Sequence, residues 1–124
     1  MRTMLRVSLA ALVVGLFAGL GTFSAAQDDK PKFSVSEVMQ MAHEGGLLKK
    51  VVDGKPTKAD KADLLEMYVA LSKNKPPQGD AKSWKDKTTV IVDAAKGVAK
   101  DEKGAQAKLK KAVDCMACHK VHKP

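Results

Sequence analysis

Between residues 33 and 116, apolar positions recur at steps of three and four, and few segments alternate with period two, so the pattern predicts helices and an all-α fold. A polar lead, Gln27 to Lys32, precedes FSVSEVMQMAHEGGLLKKVV. There Ser34 and Glu37 form a capping box, Phe33 and Val38 suit the accompanying hydrophobic staple, and Val35, Val38, Met39 and Ala42 keep helical spacing with His43 beside them. Gly45-Gly46 is a weak point where this helix either continues with reduced stability or bends; Leu47, Leu48, Val51 and Val52 resume the apolar face before Asp53–Pro56 ends it. Thr57 is the expected N-cap of a second helix, with Asp60 in its first turn and Ala62, Leu65, Tyr68, Val69 and Ser72 facing inward. KNKPPQGD stops that helix, because two prolines and a glycine cannot continue it. Asp80 or Ser83 caps a third helix, whose Trp84, Thr88, Ile91, Ala95 and Val98 form a clear stripe. Past Lys103-Gly104, a fourth helix is expected from about Ala105, carrying Leu109, Ala112, Val113 and Met116 and running into the last residues. Short connections between four amphipathic helices predict an antiparallel four-helix bundle over residues 27–124, with Val38, Leu65, Trp84, Ile91 and Val113 buried.

The first 26 residues read differently. MRTMLR gives a basic end, VSLAALVVGLFAGLGTF an apolar run, and Ser24, Ala25 and Ala26 the small residues of a cleavage site, the three parts of a secretory signal peptide. The alternative, an uncleaved membrane anchor, is weakened by Gly15, Gly19 and Gly21. Export to a periplasm-like compartment is therefore expected. With Arg2 and Arg6 lost, the formal charge of +8 falls to +6, so the basic character belongs to the domain. A lysine-rich solvated surface explains it, and so does steering toward an acidic partner. Nucleic acid is not expected as a partner: the lysines are scattered among acids and no recognition motif is present.

The chain ends in CMACHKVHKP, which holds its only two cysteines. Cys115, Cys118 and His119 make the C-x-x-C-H form of c-type haem attachment. One helical turn separates two thiols that can add to the two vinyl groups on a porphyrin edge, and the next residue's imidazole lies where it reaches the iron. Three other chemistries fit less well. A redox dithiol usually opens a helix in a βαβ pattern. A zinc site built from Cys115, Cys118, His119 and His122 would need adjacent Cys-His ligation in a closed tetrahedron. A short disulfide leaves His119 unexplained. No Ser-His-Asp arrangement, paired carboxylates or phosphate-binding glycine loop suggests an enzyme.

A C-x-x-C-H motif at the extreme C-terminus of a helical domain resembles the class II c-type cytochromes, meaning cytochrome c′ and its low-spin relatives. CMACHKVHK follows their ending at Cys115, Cys118, His119 and the basic Lys123, but places His122 where the family prefers Phe or Tyr. The resemblance implies one covalent haem c per chain and a one-electron carrier as the function. The alternative is a five-coordinate haem protein that binds nitric oxide or carbon monoxide. It also implies redox partner proteins, and homodimers formed through the first two helices. In low-spin members a first-helix methionine is the sixth iron ligand. Met39 matches that place, His43 one turn later is the runner-up, and Met41 points away. Trp84 and Tyr68 are expected in the core or against haem, with polar tips able to reach a propionate. His122 is expected at the surface near the chain end, as are Asp114, Lys120 and Lys123.

Overall fold

A computed structural model describes residues 30–124; the apolar N-terminal segment and its Ala26 boundary lie outside the described residues. The fold is all-α, and no strand occurs among the described residues. No helix among them is long and apolar enough to cross a membrane.

The capping box at Ser34 forms in both directions: the Glu37 N–H donates to Ser34 Oγ at 3.2 Å, and the Ser34 N–H donates to Glu37 Oε2 at 2.7 Å. It starts α1, Val35–Val38, which runs without a stop into a π-helical stretch, Met39–Glu44. The wider turn ends as the Gly45 N–H reaches back five residues to the Gln40 carbonyl at 2.7 Å. Gly46 then takes φ 80°, a left-handed conformation that favours glycine, and the chain turns into α2, Leu47–Asp53. Of the two outcomes open at Gly45-Gly46, the structure has the bend.

The second capping box, Thr57 with Asp60, opens α3, Lys58–Lys73. Asp80 accepts from the Lys82 and Ser83 N–H groups to open α4, Ala81–Ala99. All five stripe positions of α4 are buried. In α3 the buried side is turned by about one residue, roughly 100°, from the expected face. Leu64, Met67, Tyr68 and Leu71 are buried, Leu65 and Val69 half-buried, and Ala62 exposed. Apolar residues fill every position but one from Leu64 to Leu71, so spacing alone leaves the orientation of α3 open; packing against both α4 and α1 selects it.

The expected fourth helix is two helices. α5, Ala105–Ala112, stops at Val113, whose ψ of 77° is not helical, and Asp114 recaps the chain as α6, Cys115–His122, by accepting from the Ala117 N–H at 3.0 Å. Local side-chain capping by Asp114 competes with helix continuation, and the break changes which residues face inward. Leu109 remains buried, Val113 is half-buried, and Met116, expected on the inner stripe, is 75% exposed.

Contacts between helix ends give the directions. Lys61 near the start of α3 pairs with Asp101 just past α4. Asn74 at the end of α3 donates to the Phe33 carbonyl before α1 at 2.7 Å, and Gln106 at the start of α5 donates to the Val51 carbonyl near the end of α2 at 2.8 Å. α3 thus runs antiparallel to α4 and to α1, and α5 antiparallel to α2; Gln106 also satisfies a carbonyl that the last turn of α2 leaves free. The core runs along the inner faces of α3 and α4, closed by Val38 and Ala42 at one end and by Val51, Ala105 and Leu109 at the other.

Candidate functional site

α6 is an unusual helix for this molecule. Cys115 and His119 are exposed, Cys118 is half-buried, and only His122 is buried. Both thiols are free. Beside this helix lies a cavity of about 700 Å³ whose walls come from α1, the π-helical stretch, α3, α4 and α6. Cys115, Cys118 and His119 line one side, Val35, Met39 and His43 another, and Tyr68, Leu71, Trp84 and Ile91 the floor. The cavity is of the size that small-molecule and cofactor sites take, with mostly apolar walls and a few convergent polar groups.

α1 and the π-helical stretch together present Val35, Met39 and His43 at steps of four, while Val38 and Ala42 beside them are fully buried in the core. Met41 is 44% exposed and faces away, as the period implies. Met39 is half-buried against the core. His43 Nε2 lies 3.4 Å from Tyr68 Oη, and the Tyr68 ring meets the imidazole edge-on with centroids 6.0 Å apart and planes at 69°.

Burial holds the His43 pKa below the usual histidine value, and the charge of His119 adds to that lowering. Burial also pushes the Tyr68 hydroxyl well above its ordinary value, and the thiolate form of Cys115 would raise it further. The Cys118 thiol is pushed up by burial, pulled down by Lys87 and raised again by Cys115. A raised thiol pKa is the opposite of what a redox dithiol requires.

His122, expected at the surface, is 2% exposed. Its Nδ1 lies 2.8 Å from the Gln78 carbonyl, its Nε2 lies 3.2 Å from Ser83 Oγ, and the Trp84 ring stands edge-on at 5.2 Å. The reason is a close approach of the α3–α4 connection to the end of α6. Gly79 sits there at φ 85°, and a Cβ on it would lie 2.8 Å from the Val121 carbonyl. Gln78 also donates to the Lys123 carbonyl. The Trp84 Nε1–H is buried without a hydrogen-bond partner.

The arrangement discriminates among the chemistries. Among the described residues, no three His, Cys, Asp or Glu side chains converge closely enough to hold a metal ion. His122 is turned into Gln78 and Ser83 and is not available as a fourth zinc ligand. A flat macrocycle is different, because it needs two thiols at its edge and donors on opposite faces rather than a tight tetrahedron. Cys115, Cys118 and His119 on one wall of the cavity, with Met39 and His43 on another, fit that requirement. Compared with known proteins, the chain matches no family model, no curated protein and no solved structure.

Proposed function

We propose that this chain is an exported monohaem c-type cytochrome that carries single electrons between partner proteins. The observation that carries the reading is the C-x-x-C-H turn lying on the wall of an apolar cavity of about 700 Å³. Cys115 and Cys118 would hold the porphyrin through thioether bonds, and His119 would serve as one axial ligand. When bound, the haem supplies reversible one-electron chemistry at iron. The protein's part is to bind, orient and partly dry the group. Leu71, Ile91 and Trp84 give the cavity its apolar floor, while exposed Cys115 leaves the thioether edge near solvent, where electrons can pass.

The helices support a reading as the antiparallel four-helix bundle of class II cytochromes, with α1, the π-helical stretch and α2 as one bent arm and α5–α6 as another. The family resemblance assigns the sixth iron position to Met39, and His43 is the other donor on that wall. The basic surface, with Lys108, Lys110, Lys111, Lys120 and Lys123 on and beside the last two helices, suits an acidic redox partner.

The test is covalent retention. Full-length protein made in a host with active cytochrome c maturation is expected to keep its haem through acid-acetone extraction, at one haem per chain by pyridine haemochrome. Cys115→Ser with Cys118→Ser should abolish retention. A chain exported and folded without a Soret band would overturn the reading. High-spin ferric iron that takes up carbon monoxide readily would move the function to gas binding.

A further inference from the structure

The cavity holds two possible donors on the wall contributed by the first helix, and the structure treats them differently. Met39 packs against the buried core, as a flexible thioether usually does when it fills an irregular gap. His43 offers the same wall a nitrogen donor instead. Its ring is half-buried at the cavity wall, and its hydrogen-bond contact is with Tyr68 Oη at 3.4 Å. That is longer than ordinary hydrogen bonds of this kind, so the nitrogen is largely uncommitted. A nitrogen on the cavity wall held only by so long a contact can exchange that contact for a metal bond.

We propose that His43, rather than Met39, is the second axial ligand of the haem iron, giving a bis-histidine centre with His119. The assignment rests on the haem reading above. The π-helical stretch Met39–Glu44 contains both residues, and such wide turns occur often at functional sites. His43 lies toward its end, four residues past Met39, and both line the cavity. The Tyr68 ring, edge-on to the imidazole at 6.0 Å, limits its rotation. Met39 then serves as an apolar wall against the macrocycle.

The experiment uses the full-length, haem-loaded protein, with covalent haem verified first by pyridine haemochrome. Ferric electron paramagnetic resonance and near-infrared magnetic circular dichroism then read the axial pair. The wild type is expected to be low-spin with a bis-nitrogen signature and no far-red band of Met–iron bonding. Met39→Leu should leave that signature in place, as should Tyr68→Phe. His43→Ala should convert the iron to high-spin and open it to carbon monoxide, and added imidazole should restore the low-spin state. If His43→Ala does not fold, the wild-type and Met39→Leu spectra still decide. A Met–iron band that disappears in Met39→Leu overturns the assignment while leaving the haem reading intact, and so does a high-spin wild type. Failure to find any covalent haem overturns the haem reading, and this assignment falls with it.

Discussion

Two helices of this molecule, α4 and α6, use their residues in opposite ways. α4 gives a continuous stripe, Trp84, Thr88, Ile91, Ala95 and Val98, to its neighbours, and every member is buried. α6 buries one residue, His122, and leaves Cys115, Met116 and His119 exposed and Cys118 half-covered beside a cavity. The long helix is made for packing. The short one is anchored at its end and holds its remaining side chains for something that packing does not supply. Residues that break the local rules of burial are where function is expected, because a side chain held out of the core is retained for another reason.

The sharpest break of that contrast would be at Trp84 and Met116. Trp84→Ala removes the largest ring of the α4 stripe and should cost about 3–5 kcal/mol in chemical denaturation. Met116→Ala, at a position 75% exposed, should stay within about 0.5 kcal/mol of wild type. Equal losses at the two positions would mean that α6 packs as tightly as α4.

The anchor of α6 comes next. His122→Ala removes a buried ring and strands the Gln78 carbonyl and the Ser83 hydroxyl, at a cost of about 2–3 kcal/mol. Gly79→Ala forces a Cβ at φ 85° against the Val121 carbonyl and should cost on the order of 1–2 kcal/mol. Both act on one contact, so the double variant should lose less than the sum of the single losses. Strict additivity in a denaturation series would show that Gly79 and His122 do not serve the same junction.

How far the sequence carried the reading depends on what each residue was answering to. The α4 stripe was legible because its apolar residues stand alone among polar ones, so spacing fixes the face. The α3 face was not, because apolar residues from Leu64 to Leu71 nearly encircle the helix and tertiary packing chooses among them. The Gly45-Gly46 bend was visible as a weak point, but the π-helical turn before it was not, since Met39–Glu44 has no residue pattern that forbids an ordinary α-turn. The break at Val113–Asp114 is hidden because Asp114 is an exposed carboxylate that also caps α6, and apolar spacing does not distinguish the two roles. Cys115, Cys118 and His119 were singled out by chemistry alone, and the structure adds the cavity next to them. The burial of His122 is not legible, because position near the chain end says nothing about the Gln78–Gly79 loop that folds over it.

The smallest effects concern helix starts, where α3 and α6 differ again. Both are opened by an acidic residue's cap or capping box, but at α3 the carboxylate also meets a lysine. Thr57→Ala should cost about 1 kcal/mol by removing one half of the box. Asp60 has its carboxyl held down to about 2 by Lys50, whose Nζ lies 2.7 Å away, and by the Thr57 N–H at 2.8 Å. The folded pKa lies below the unfolded one, so the unfolded chain binds the proton more readily, and the stabilisation is complete above the ordinary carboxylate range. It fades as pH falls from about 4 toward about 2. Asp60→Asn keeps an acceptor for the cap but loses the ion pair. Its midpoint of thermal unfolding should therefore sit slightly below wild type at neutral pH, and the gap should close on acidification through that window. Asp114→Asn at the start of α6, where the Ala117 N–H is the hydrogen-bond partner, serves as the comparison. A gap at Asp60→Asn that stays constant down to the acid limit would show that Lys50 contributes nothing through charge, and that the two caps work by hydrogen bonding alone.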